Sequence, residues 1–310
     1  MAPETETPFP TCDPFVTGGL NAGRLWLVCN AASGSNDARS RQTVCDALTK
    51  AGFTVSRVLN FPDDPAPDPA DLAADGIQFV ATFGGDGTVH AVVTGLFGWD
   101  GAMLVLPGGT MNLLSKALHG PASADEIAAR LGAGQGRRVR PPVIHSQHAT
   151  ALTGVLAGPG TIWNEVREAM RAGDLVEFVA ATSQAISHST TAPKVTCAGA
   201  EGGREEGYAA IALNPVAEGM EAKGYYAESL ADFAGQGIAL LNRDFRDGPH
   251  DDLGRRAQVR LVCPEGEPMG LLIDGEPFDG KAEEVFTLAR CGVDLIATLE
   301  TNQNQPKARA

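Results

Sequence analysis

Residues 77–112 read IQFVATFGGDGTVHAVVTGLFGWDGAMLVLPGGTMN, and the order of apolar runs and glycines within them decides the fold. Ile77 to Phe83 is an apolar run rich in β-formers and too short for a lone helix, so it reads as a buried strand. It ends in Gly84-Gly85-Asp86-Gly87-Thr88. Three glycines in four residues allow a sharp turn and let a bulky anion approach backbone N–H groups. Val89 to Gly95 then reads as a helix whose positive N-terminus would face that anion. A second apolar strand, Ala102 to Leu106, runs into Pro107-Gly108-Gly109-Thr110-Met111-Asn112. Two strand–glycine–helix junctions about one βαβ unit apart sit side by side at the carboxyl edge of a parallel sheet, where nucleotides bind. Asp86 is the one carboxylate within the two loops.

A single glycine loop after a strand is ordinary turn chemistry in α/β proteins. Two in tandem around one carboxylate favour a phosphate site. The better-known phosphate fingerprints are absent, since nothing matches G-x-x-x-x-G-K-[ST] and no G-x-G-x-x-G follows a strand.

GGDGT followed at this distance by PGGTMN resembles the catalytic core of the diacylglycerol kinase-like lipid kinases. Sphingosine and ceramide kinases are among them, and NAD kinases share the ancestral fold. The resemblance implies an ATP- and Mg²⁺-dependent transfer of a phosphoryl group to a lipid hydroxyl, with an NAD kinase-like kinase of a soluble acceptor and a non-catalytic nucleotide-binding regulator as the alternatives. It also implies an active site in the cleft between an α/β nucleotide-binding domain and a second, β-rich domain.

The rest of the chain is compatible with that expectation. A length of 310 residues suggests two domains, and 43% hydrophobic with 20% charged residues marks an ordinary globular protein. A formal net charge of −14 argues against nucleic acid as a partner and against tight docking on anionic lipid, leaving room for a local basic patch. Six cysteines without C-x-x-C pairs offer neither a zinc site nor a disulfide framework and fit a reducing cytoplasm. No apolar run approaches the ~20 residues of a membrane span, and the N-terminus is acidic rather than signal-like. The expected location is therefore cytoplasmic, with transient association at a membrane surface where the lipid substrate resides. Oligomeric state is left open, a homodimer included.

Residues 1–23, rich in Pro, Thr and Gly, are expected to be poorly ordered. The α/β domain is expected over 24–140, completed by a returning segment near 291–302, with a β-rich substrate domain over 141–290. Arg24 to Cys29 reads as a first strand, Asp37 to Ala51 as a helix, Thr54 to Leu59 as a strand and Asp71 to Asp75 as a short helix. Ser123 and Glu126 have capping-box spacing ahead of a helix from Ala124 to Leu131, and the basic stretch 132–138 reads as a flexible loop. Beyond Pro141 the texture becomes short β-like segments separated by Gly, Pro and Asp. They are 151–156, 192–197, 207–213, 237–241, 257–263, 270–273, 285–288 and 293–298. Two apolar helical stretches, 163–172 and 175–187, read as core against the sheet or as walls of an acyl-chain pocket.

Asn30 and Ser33 follow the first strand and read as a helix cap or as phosphate contacts. In the family resemblance they belong to an N-P-x-S-G loop whose proline is Ala31 here. Two further departures are Ala91, where the family often has Glu, and Leu113, where it usually has Asp. His90 reads as a packing or phosphate-contacting residue rather than an acid or base, and Lys116 as a solvated lysine. Asp274-Gly275-Glu276 is a hairpin turn by its own chemistry, and it also resembles the family's second-domain signature.

Phosphoryl transfer needs the phosphate held in line, its charge neutralised, and the acceptor hydroxyl relieved of its proton. Gly84, Gly85, Gly87 and Gly109 can bring N–H groups to phosphate, and Asn30, Ser33, Thr88, Thr110 and Asn112 add neutral hydrogen bonds. The site has few fixed cations, which gives Mg²⁺ much of the neutralisation. Asp86 and Glu276 are the catalytic carboxylates that the resemblance implies. The expected division has Glu276 as base and Asp86 orienting Mg²⁺-ATP, the reverse remaining open. Glu165 is assigned, weakly, to a lipid-headgroup contact.

Overall fold

The structure is a computed structural model that describes residues 23–30, 38–159, 194–200, 203–226, 250–263 and 266–299. The expected helices at 163–172 and 175–187, the strand at 237–241, and the site residues Ser33 and Glu165 lie outside the described residues.

Three apolar strands form the centre of the first sheet: β1 (Arg24–Asn30), β3 (Phe79–Gly84) and β4 (Ala102–Pro107). Leu25 to Cys29, all of β3 and Ala102 to Leu106 are buried. Strands covered on both faces read as continuous apolar runs, which is why the sequence marks them so plainly. With β2 (Thr54–Phe61), β5 (Arg137–Val139) and β17 (Asp294–Ala297) they make a six-stranded sheet in the order β2-β1-β3-β4-β17-β5. All its neighbours are parallel except the β17–β5 pair.

Helices cover both faces. One face packs Val44 and Leu48 of α1 (Ala38–Lys50) with Ile127 and Leu131 of α5 (Ala124–Gly132) against Leu25, Leu27 and Leu104. The other packs Leu72 of α2 (Pro69–Ala74), Val89 and Val92 of α3 (Asp86–Gly95), and Leu114 and Leu118 of α4 (Leu113–His119) against Trp26, Val80 and Met103. The order 2-1-3-4 reverses direction at β1, since β2 lies on one side of it and β3 on the other. Ligands of open α/β sheets bind outside the carboxyl ends of the strands at such a switch point. Here those ends are Asn30 and Gly84.

The second part of the chain is a pair of antiparallel sheets. One has the order β12-β11-β10-β8-β14-β15 and the other β7-β6-β16-β13-β9. The first comprises β8 (Val155–Pro159), β10 (Ala210–Val216), β11 (Gly219–Tyr225), β12 (His250–Arg256), β14 (Met269–Ile273) and β15 (Glu276–Asp279). The second comprises β6 (Pro142–His145), β7 (Thr150–Ala151), β9 (Thr196–Cys197), β13 (Gln258–Val262) and β16 (Glu283–Arg290). Inward residues of both, among them Ile144, Ile211, Leu213, Leu261, Leu271 and Phe286, form one shared core.

Several boundaries differ from those read in sequence. Helix α3 begins at Asp86, inside the glycine loop, because Gly85 already takes the extended N-cap conformation (φ −76°, ψ 174°). Helix α2 begins at Pro69, where proline suits the first helical position and the Asp68 side chain accepts from Ala70 N. The basic loop at 132–138 ends in an edge strand, because Arg137 to Val139 pair with Leu295 to Ala297. The strand expected over 151–156 is broken in two, since the amides of Leu152, Thr153 and Gly154 bond to the Asp274 carboxylate instead of a neighbouring strand. Ser123 and Glu126 do form the capping box of α5.

The last turn of α4 buries His119 completely, with Nδ1 3.0 Å from Thr298 Oγ1 at the end of β17. Burial pushes this imidazole down from 6.5 to about 4. The folded protein thus holds it neutral through a pH range where the unfolded chain takes up a proton. Its contribution to stability is complete above pH 6.5 and is lost as pH falls toward about 4, a loss of roughly 3 kcal/mol. Urea midpoints measured from pH 7 to pH 4.5, above most carboxylate titration, should fall steadily in the parent protein. In His119→Gln the curve should be flatter over that window, and an unchanged slope would remove His119 as the cause.

Candidate active site

The two glycine loops touch backbone to backbone. Gly108 N donates to Gly84 O at 3.2 Å. A Cβ on Gly108 would lie 2.7 Å from Gly84 N, and one on Gly109 would lie 2.5 Å from Gly85 Cα. Neither distance is possible for a real side chain, so glycine at 108 and 109 is a packing requirement. Gly85 is different: a Cβ there would meet only Gly109 Cα at 3.8 Å, and its φ of −76° suits any residue. The fold therefore tolerates a small side chain at 85.

The Asp86 carboxylate joins the loops from the other side. Oδ2 accepts Asn112 N at 2.9 Å and Oδ1 accepts Leu113 N at 2.7 Å, so Asp86 caps the start of α4 while sitting in the first turn of α3. A carboxylate suits both helix N-termini, whose leading N–H groups have no intrahelical acceptor. Burial raises its pKa above the usual carboxylate value. The Leu113 and Asn112 amides oppose that shift and the nearby Asp274 charge adds to it.

Asn112 takes the left-handed conformation (φ 52°, ψ 45°), which asparagine tolerates better than most residues. Its side chain grips the loop backbone, accepting from Gly109 N at 2.8 Å and donating to Gly109 O at 2.7 Å. Asn30 Nδ2 donates to the buried Thr88 Oγ1 at 2.8 Å, linking the end of β1 to the first turn of α3 across the switch point. In α3 the first backbone ladder bond is Val89 N to Gly85 O, so the amides of Asp86, Gly87 and Thr88 precede the ladder at the helix mouth. Thr110 is exposed beside this mouth.

The second domain brings its own carboxylate to the same place. Asp274 (φ 52°) and Gly275 (φ 91°) form the two-residue turn between β14 and β15, and Glu276 follows it, paired with Ile273. Glu276 is exposed, yet a Cβ built on Gly87 would lie 2.9 Å from its Oε1. Glu276 therefore stands at the N-terminus of α3. His90, one turn further along α3, has Nε2 2.9 Å from Thr150 O and 3.8 Å from Asp274 Oδ2.

The structure thus assembles Asn30, Gly84, Gly85, Asp86, Gly87, Thr88, Gly109, Asn112 and Glu276 around one helix N-terminus. Sequence reasoning missed Asp274 and Thr150. Asp274 carried a signal as part of the Asp-Gly-Glu turn, whereas Thr150 contributes only a backbone carbonyl and carried none. Among the described residues no group of three or more His, Cys, Asp or Glu side chains is placed to enclose a metal ion.

Two substitutions separate phosphate binding from packing. Gly85→Ala should melt within about 1 kcal/mol of the parent, the range of an N-cap change, while losing ATP affinity in a nucleotide titration. Gly109→Ala should instead cost about 1–3 kcal/mol of stability, because the loops must part to admit a methyl group. Equal ATP affinity in Gly85→Ala and the parent would remove the phosphate from this loop.

Comparisons with known proteins bear on the first domain and on the fold. Residues 24–141 match the family model of the diacylglycerol kinase catalytic domain. No curated protein matches the chain in sequence. Among solved structures, a protein from Bacillus anthracis str. Sterne named provisionally as a diacylglycerol kinase superposes with a TM-score of 0.59 at 15% identity, covering 91% of this chain and 97% of its own. A second, titled a diacylglycerol kinase from the same source, gives a TM-score of 0.58 at 16% identity, covering 88% and 96%. At such identities these structures establish the shared fold. Residues 24–141, which hold the tandem GGDGT and PGGTMN loops, thus carry a diacylglycerol kinase catalytic domain.

Proposed function

We propose that this kinase transfers the γ-phosphoryl group of ATP to the hydroxyl of a lipid of the diacylglycerol, sphingoid-base or ceramide class, meeting it at a membrane surface. The observation that carries the reading is the different state of its two carboxylates at the mouth of α3. Asp86 is half-buried and committed to two backbone amides, whereas the Glu276 side chain is exposed and accepts no hydrogen bond from the described residues. The match to the diacylglycerol kinase catalytic domain supports a lipid acceptor. Among the described residues no helix is long and apolar enough to cross a membrane.

In this reading the amides of Gly85, Gly87 and Thr88 hold the phosphates at the positive end of α3. Asn112 keeps the second loop closed against the first, and Asn30 orients the Thr88 hydroxyl. Each Asp86 oxygen accepts one N–H bond and retains a lone pair, which suits it to a cation shared with phosphate. Mg²⁺ held by Asp86 would supply charge neutralisation for the transferred group. Glu276 takes the proton from the acceptor hydroxyl as that oxygen bonds to the γ-phosphorus and the bond from the γ-phosphorus to the β–γ bridging oxygen breaks, with ADP as the leaving group.

The test follows label from γ-³²P-ATP into detergent-dispersed diacylglycerol, sphingosine and ceramide, with NAD as a soluble acceptor. Label should enter one lipid class, and transfer to NAD alone would overturn the lipid assignment. In Glu276→Gln, shape and hydrogen bonding persist but proton acceptance is lost. kcat should fall by roughly 10²–10⁴-fold while ATP binding changes little. Near-parent turnover in that variant would move the base to Asp86.

A further inference from the structure

Glu276 reaches the mouth of α3 from the far side of a two-residue turn, on a strand of the other domain. Something must hold that turn still, because the Glu276 side chain is exposed and makes no hydrogen bond to the described residues. Asp274 is the residue placed to do so. Its side chain is 4% exposed, and its oxygens accept Leu152 N at 2.7 Å, Thr153 N at 2.7 Å, Thr153 Oγ1 at 2.6 Å and Gly154 N at 3.2 Å. Its own amide donates to Gly154 O at 3.0 Å. Oδ1 takes three of these bonds and Oδ2 one, which commits the Asp274 carboxylate to holding the 152–154 segment.

The anchored segment is itself tied to the nucleotide domain. Thr150, two residues before Leu152, accepts from His90 Nε2 of α3, and the same nitrogen lies 3.8 Å from Asp274 Oδ2. The contacts form a closed ring. It runs from Glu276 through the turn to Asp274, across to 152–154, back to Thr150, over to His90, and along α3 to Gly87 beside Glu276. We infer that Asp274 is a positioning residue that sets Glu276 against the N-terminus of α3 by anchoring the β14–β15 turn to the 150–154 segment and, through it, to His90. The inference rests on Glu276 being the base.

The choice of aspartate supports this over a purely conformational role. A φ of 52° is available to Asp but fits Gly at no cost. A turn that needed only its shape would be served at least as well by Gly-Gly. Asp274→Gly therefore keeps the backbone conformation and removes the anchor, and Asp274→Asn keeps one acceptor oxygen.

Steady-state kinetics on Asp274→Gly, Asp274→Asn, Glu276→Gln and the Asp274→Gly/Glu276→Gln double variant test the inference. Misplacing a catalytic group by about 1 Å can cost 10²-fold, so kcat of Asp274→Gly should fall roughly 10–100-fold with KM for ATP nearly unchanged. Asp274→Asn should recover part of the loss. The double variant should be no slower than Glu276→Gln alone, since the group being positioned is already disabled. Parent-like kcat in Asp274→Gly, or full additivity in the double variant, would overturn the inference while leaving the base intact. Parent-like kcat in Glu276→Gln would overturn both. Should Asp274→Gly fail to fold, Asp274→Asn and Thr153→Val, each removing part of the anchor, carry the same comparison. A several-fold fall in kcat that vanishes in the Glu276→Gln background supports the role, and additive or absent effects refute it.

Discussion

The carboxylate of Asp86 accepts the amides of Asn112 and Leu113, residues 26 and 27 positions further along the chain. That contact depends on two loops lying closer than side chains permit, with Gly108 and Gly109 against the backbone of Gly84 and Gly85. The close approach brings the start of α4 within reach of a side chain in the first turn of α3. One half-buried charge thus satisfies amides that α4 leaves without an intrahelical acceptor. The placing of both loops at the switch point, with the Asn30–Thr88 hydrogen bond on the β1 side, goes with that arrangement.

The second domain is organised by the same requirement seen from across the junction. A β-hairpin with Asp274-Gly275 at its tip would be an ordinary edge feature if it faced solvent. Here its aspartate is buried among the amides of 152–154, and its glutamate stands beside Gly87. The absence of a side chain at Gly87 gives Glu276 its place. Further back, Glu284 is a charge buried to 1% exposure that accepts from Gln147, His148 and Lys281 N. Burial opposes its charge, but those hydrogen bonds outweigh burial and hold the carboxyl below its ordinary value. It braces the turn beside β6 against the one between β15 and β16.

The nucleotide-domain strands were legible because a strand buried on both faces must be apolar throughout, as Leu25 to Cys29 and Ala102 to Leu106 are. The capping box at Ser123 and Glu126 was legible because its partners are three residues apart. Strands β11 and β12 were not. GMEAKGY and HDDLGRR have weak alternation, and they are strands because each pairs with the other and β11 also with β10. The break between β7 and β8 was invisible for a related reason, since its cause, Asp274, lies about 120 residues away. The motif residues gave the location of the site, but not which polar groups bind each other. Asn112 reads as a ligand contact until its amide is seen gripping Gly109.

The central claim is that one carboxylate both closes the two loops and faces the metal–nucleotide. Calorimetric titration of ATP into the parent protein and Asp86→Asn, with and without Mg²⁺, tests it most directly, with melting curves confirming that the variant is folded. The account predicts that Mg²⁺ strengthens ATP binding in the parent and has little effect in Asp86→Asn, whose amide cannot replace an anionic ligand. A Mg²⁺ enhancement of equal size in the folded variant would contradict it and leave Asp86 as a loop fastener alone.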